Sequence, residues 1–229
     1  MASSGKRTAS VGVFVILLAA AGQVFGDISQ IFDRPLGSET IDFMSLPDRI
    51  LDPDAEPIPN PFSLSYSRGT AGFSILSGSC ERLTEGATWS GFFTNGEAVL
   101  WTNYNPGPLT IEFSSGITAF ATQIQSNCFE DGYALISAYD AFDTLLGTVV
   151  RVPSIISDDN TFGDGSAVLI GVKATGDDVI SRIVLDIDGF RVDDFAINQI
   201  SFVPVPVPGA VLLGLLGLST AGLRLRRHG

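Results

Sequence analysis

The sequence predicts an all-β fold: a two-layer antiparallel β-sandwich of jelly-roll type, flanked by an N-terminal signal helix and a C-terminal transmembrane helix. Three observations point there. Glycine, serine, threonine, phenylalanine and valine are abundant in the middle of the chain, where Lys173 is the only lysine, so β formers outnumber long helix formers. Short apolar runs alternate with polar residues at period two and are separated by turn residues, giving about ten strands. No stretch between the two ends has the length and period of a helix.

Met1 to Gly26 reads as a signal peptide. Lys6 and Arg7 form its positive end, and the apolar run Val11 to Ala21 is too short for a stable span. A cut before Asp27 follows Val24-Phe25-Gly26; a cut after Ala21 is the alternative, and so is an uncleaved anchor. Residues 27–61 are a polar, proline-rich lead-in. Pro47, Pro53, Pro57, Pro59 and Pro61 prevent a long helix, and Ile41-Asp42-Phe43 is a candidate edge strand.

The sandwich itself is expected over 62–203. Phe62, Leu64 and Tyr66 alternate with serines, and Gly72 to Leu76 makes a second strand. Ser77 to Gly96 reads as a long loop with a short strand, carrying Cys80, Trp89, Phe92 and Phe93. Glu97 to Trp101 is a strand, and Asn103 to Pro108 is a turn. Leu109, Ile111 and Phe113 form the cleanest half-buried alternation; Ser114-Ser115-Gly116 is then expected to turn the chain into a strand over Ile117 to Gln125. Tyr133 to Asp140 and Leu145 to Arg151 read as a hairpin. Ser166 to Val172, Ile180 to Ile187 and Asp194 to Phe202 complete the set. In the last strand the apolar phase slips near Asn198, which predicts a bulge.

Charge and histidine content narrow the function. All 25 acidic residues and eight of the 13 basic ones lie between Asp27 and Val203, a net charge of −17 there. That argues against nucleic acid or an anionic membrane surface as a partner. The only histidine is His228, next to the C-terminus. Histidine-dependent nucleophilic catalysis and histidine-ligated zinc or copper are therefore excluded from the middle. Paired carboxylates remain, but the glutamates do not cluster, and Glu81 and Glu85 lie in a glycine-rich stretch whose spacing fixes no geometry.

Calcium suits an acidic chain, because it takes six to eight hard oxygens. Asp158, Asp159, Asn160 and Asp164 are one candidate set. Asp186, Asp188, Asp193 and Asp194 are the other, with local turn hydrogen bonding as the alternative role for each. Trp89 and Tyr104, in turn-like stretches, are candidate platforms for a sugar face, with core packing as the alternative. Cys80 and Cys128 would close a loop of about 48 residues if bridged, contributing about 3–4 kcal/mol; two buried thiols are the alternative.

The end of the chain, 204–229, has three parts. Val205, Pro206, Val207 and Pro208 form a proline-rich turn, Gly209 to Leu223 is uncharged, and Arg224, Arg226 and Arg227 form a basic cluster suited to stop transfer. The apolar part reaches roughly 22 Å as a helix, short of a hydrocarbon core of about 30 Å, a gap that snorkelling arginines can close. This order resembles the PEP-CTERM sorting tail of exported bacterial proteins, in its VPxP-type variants, with valine where the commonest form has glutamate. A plain membrane anchor is the alternative.

The resemblance implies an exosortase-type membrane protease as partner. It also implies a transient cytoplasmic-membrane anchor through the C-terminal helix, then release to the cell surface or outside, in a setting of extracellular polysaccharide. Ile117 to Gln125 (ITAFATQIQ), Gly163 to Val172 (GDGSAVLIGV) and Ile180 to Phe202 are similar to sandwich domains of such proteins. That likeness implies a lectin-like or carbohydrate-module-like domain and brings no catalytic residue with it. The expectation is an exported, non-enzymatic protein with a carbohydrate-binding sandwich. A carboxylate-dependent glycoside hydrolase or lyase and a purely structural envelope protein are the competing readings.

Overall fold

The computed structural model describes residues 28–105, 107–126, 132–151, 163–189 and 194–206. Two β-layers are built around one long strand, β7 (Leu109–Ser126), which belongs to both. Its first half alternates buried and exposed residues and pairs on one side with β4 (Gly69–Ile75). On the other side it pairs with β11 (Ile180–Gly189). Outside these lie β3 (Phe62–Tyr66), next to β4, and the hairpin of β8 (Gly132–Tyr139) and β9 (Leu145–Arg151), next to β11.

The second half of β7 pairs with β10 (Val168–Ala174) along one edge. Along the other it pairs with β12 (Phe195–Ile197) and β13 (Ile200–Pro204) in succession. β1 (Ile28–Ile31) extends this layer beyond β10, and β2 (Glu39–Ile41) extends it beyond β13. β6 (Ala98–Trp101) and then β5 (Glu81–Thr84) lie outside β12. Every one of these pairings is antiparallel.

The layers close on each other through aromatic side chains. Tyr66 of β3 meets Phe202 of β13 edge to face at 4.9 Å, and Phe113 lies 6.3 Å from Phe120 and 5.1 Å from Phe202. β1 packs beside β9, and β2 beside β3. A second, smaller core lies on the outer face of the β5–β6–β12 layer, made of Leu83, Trp89, Phe92, Phe93, Val99, Trp101, Ala167 and Ala196.

The expected fold class is corrected on two points. The strands form one connected, branched sheet ordered β5–β6–β12–β7–β11–β8–β9 along its main path, not two separate jelly-roll sheets. The reason is that β7 runs straight through Ser114-Ser115-Gly116, where a turn was expected. Those small residues let the strand pass from one layer to the other. A Cβ on Gly116 would collide with Val179, and the serine hydroxyls are taken up by Thr70 N and Arg68 O.

The second point concerns the helices. The described residues contain no helix, and none long and apolar enough to cross a membrane. The expected signal and transmembrane segments lie outside the described residues, and the expected transient membrane anchor has no helix among them to carry it. What is described of the tail continues the sheet. Pro204 is still in β13, and Val205 N donates to Gly116 O at 3.0 Å. Alternating valine and proline favour this extended path.

The expected disulfide is also corrected. Cys80 is a free thiol, buried in the main core. Burial pushes its pKa up to about 12, so it stays protonated. Cys128 lies outside the described residues.

Candidate functional site

Downstream of β6 the chain makes a tight turn whose geometry is set residue by residue. Thr102 locks its base. Thr102 N donates to Phe195 O at 2.9 Å, and its hydroxyl accepts from Phe195 N at 3.0 Å and lies 2.8 Å from Asn105 O. Asn105 anchors the far side through Nδ2, which donates to Ser77 O at 2.7 Å, while its Oδ1 accepts from Gly107 N at 3.2 Å. Gly107 has φ +119°, and a Cβ there would meet Asp186 Oδ1 at 2.5 Å, so only glycine lets the backbone pass over β11.

Asn103 and Tyr104 both have positive φ, 51° and 60°. Asparagine tolerates this conformation, whereas for tyrosine it is strained by about 1–3 kcal/mol. A buried carboxylate maintains it. Asp194 Oδ2 accepts from Tyr104 N at 3.0 Å and from Trp101 Nε1 at 2.5 Å. The result is a tyrosine ring standing edge to face on Trp101, centroids 4.9 Å apart, and 72% exposed. Before it in the turn, Asn103 Nδ2 donates to Glu81 Oε1 at 3.3 Å, and Arg49 lies 4.0 Å from the same oxygen.

An aromatic ring held out of the surface can take the C–H face of a flat ligand. Trp89 cannot do the same. It is 6% exposed and packs against Trp101 at 6.2 Å in the second core.

The described aspartates of the expected calcium sets have separate surroundings. Asp194 faces Trp101 and Tyr104, Asp188 is exposed on β11, and Asp186 is half-buried beside Gly107. Burial raises the Asp186 pKa, the bond from Ile187 N works against that, and the charge of Asp188 adds to it. Asp193 lies outside the described residues, as do Asp158, Asp159 and Asn160; Asp164 caps Ser166 N at 2.8 Å. No group of three or more histidine, cysteine, aspartate or glutamate side chains suited to a metal occurs among the described residues.

Glu81 and Glu85 are also separated in role. Glu81 accepts from Asn103 Nδ2 in the turn before Tyr104, while Glu85 is buried and accepts from Gly91 N at 2.9 Å. Burial is the main cause that raises the Glu85 pKa, against several backbone N–H bonds. Of the tail residues, Val205 is half-buried and its carbonyl accepts from Arg68 Nη1 at 3.3 Å, and Pro206 is exposed. Val207, Pro208, Arg224, Arg226 and Arg227 lie outside the described residues.

No protein-family model matches the chain, and no curated protein matches it. Among solved structures it is similar to a DUF4465 family protein from Bacteroides caccae, at 9% identity and a TM-score of 0.42, over 77% of this chain and 100% of that one. It is also similar to CsCBM6-3 from Clostridium stercorarium, solved with cellobiose, at 12% identity and a TM-score of 0.33, over 63% of this chain and 94% of that one. A glycoside hydrolase family 43 arabinoxylan arabinofuranohydrolase from Bacillus subtilis, solved with cellotetraose, matches at 9% identity and a TM-score of 0.31, over 63% of this chain and 40% of that one.

Proposed function

We propose that this protein is an exported, non-enzymatic binding module that associates with extracellular polysaccharide through the Tyr104 turn. The observation that carries the reading is the exposure of Tyr104 in a strained backbone conformation that a buried carboxylate maintains. Strain of this kind persists where the surrounding structure over-determines it and is concentrated at functional sites. A rigid aromatic loses little conformational entropy on binding, which suits it to weak, repeated contacts along a polymer.

The competing hydrolase or lyase reading has less support. Glu81 and Glu85, four residues apart, do not share a cleft in these surroundings, since one bonds Asn103 in the turn and the other is buried. A glycan array with the secreted domain tests the binding reading directly. Binding to polysaccharide that Tyr104→Ala removes supports it; no binding to any glycan favours a purely structural protein. Release of reducing sugar by the wild type contradicts the non-enzymatic part.

We also propose that the Val-Pro repeat is read by an exosortase-type protease. In its favour, the sheet ends at Pro204, and Val205 is held on both its N–H and its carbonyl. Pro206 is then the first exposed residue of the repeat. The test is intact mass of the protein from its host: a product ending shortly after Pro206 agrees, and a product retaining Arg227 does not.

A further inference from the structure

The break between β12 and β13 opens a cleft that the Tyr104 turn does not use. β12 has β6 as its outer neighbour, through Ile197 and Leu100. Three residues later β13 has β2 instead, through Ile200 and Ile41. The handover at Asn198 and Gln199 leaves a gap between the start of β6 and the end of β2. Asp42, Met44, Gly96, Glu97, Ala98 and Gln199 line it, around a volume of about 230 Å³. It lies at the opposite end of β6 from Tyr104, about 17 Å from Gly96 to Trp101 at strand spacing.

The polar groups of this cleft are fixed from behind. Asn198 Nδ2 donates to Glu97 Oε2 at 3.1 Å and to Gln123 Oε1 at 2.6 Å, and Thr94 N donates to Glu97 Oε2 at 3.1 Å. The Gln199 amide is best assigned with its oxygen toward Arg34, where it accepts from both Nη atoms at 3.2 Å and its NH2 is turned away from the guanidinium. Met44 N donates to Asp42 Oδ1 at 3.1 Å. Two acceptors are left over: Asp42 Oδ2 and Glu97 Oε1 have no hydrogen-bond partner among the described residues. Met44, 57% exposed, supplies an apolar wall.

We propose that this cleft is a second binding site, which takes neighbouring hydroxyl groups of a neutral sugar. A hydroxyl both donates and accepts, so a pair of them is satisfied by carboxylate acceptors together with an amide donor. A cation is a poorer match. Calcium would need six to eight oxygens, and an ammonium would face the donating NH2 of Gln199. Arg34 also already feels the charge of Glu97, which opposes the lowering of its pKa by burial. The cleft shares its ligand class with the Tyr104 reading but no residue with it, so either site can fail alone.

The test follows the Asn198 and Gln199 side-chain amide signals by NMR while the protein is titrated with methyl glycosides of glucose, galactose and mannose, and separately with glucosamine. The expected result is a saturable shift of Gln199 with at least one neutral glycoside. Asp42→Asn weakens it by about tenfold, Gln199→Leu weakens binding as much when followed on the Asn198 amide, and Tyr104→Ala leaves it unchanged. Asp42 is exposed, so its variant keeps the fold. The proposal is overturned if no neutral glycoside moves Gln199, if only glucosamine does, or if both cleft variants bind as the wild type.

Discussion

Replacing Asp194 by alanine removes one oxygen that serves two donors. Asp194 is fully buried, and without it Trp101 Nε1, a buried donor, and Tyr104 N, a part-buried one, both lose their acceptor. Leaving a buried donor unsatisfied costs about 1–3 kcal/mol, so the pair predicts a loss of about 2–5 kcal/mol, large beside a typical total of about 5–15 kcal/mol. Urea denaturation measures it. With a slope of about 2 kcal/mol/M, the midpoint falls by about 1–2.5 M while the slope is unchanged. The only two tryptophans, Trp89 and Trp101, both lie in the second core, so their fluorescence reports on this region. Asp194→Asn keeps an acceptor and should lose roughly half as much. Trp101→Phe removes one donor, so the double variant Asp194→Ala/Trp101→Phe should lose less than the sum of the two single changes. A midpoint shift below about 0.3 M in Asp194→Ala would falsify the clamp, since a buried orphaned donor cannot be that cheap.

Three other expectations concern the frame around the site. Asp48 is buried and accepts from Arg82 Nη1 at 2.8 Å and from the Thr84 and Thr88 hydroxyls at 3.0 and 3.3 Å; Asp48→Ala should lose about 3–5 kcal/mol in urea denaturation, and a loss under about 1 kcal/mol contradicts the hub role. Cys80 in a Cys128→Ser background should resist Ellman's reagent at pH about 8 in the native protein and react in urea; equal rates show that the thiol is not buried. Its raised pKa makes its contribution to stability full below the unfolded value near 9.0, with loss as pH rises through about 12. Glu85 has a raised folded pKa too, so its share of stability is full below the unfolded value near 4.5 and is lost as pH rises through the folded value. Glu85→Gln should therefore flatten the fall in stability above that pH, and an unchanged profile rules the effect out.

Local signals in the sequence carried further than long-range ones. The alternation Leu109–Ile111–Phe113 and the hairpin over Tyr133 to Arg151 are read from neighbouring residues alone, because side-chain direction has period two. The phase slip near Asn198 marked a real irregularity, but the structure makes it a change of neighbouring strands with a cleft beside it. A bulge and a handover have the same local pattern, and only the partners β6 and β2 distinguish them. Ser114-Ser115-Gly116 has turn composition, yet pairing on both flanks keeps the strand going. The exposed turn position of Tyr104 was legible from the Asn, Gly and Pro around it. Its clamp was not, because Asp194 is 90 residues away and reads equally well as a turn aspartate. Trp89 was misplaced for the opposite reason: glycine-rich surroundings suggest a surface loop, while the tertiary fold lays that loop over a second core.

The most direct measurement is affinity electrophoresis of the wild type, Tyr104→Ala and Tyr104→Phe in native gels containing the polysaccharide of the producing cells. The account predicts retardation of the wild type and Tyr104→Phe and free migration of Tyr104→Ala, with all three folded by fluorescence. Equal retardation of Tyr104→Ala, or none for the wild type, would contradict it.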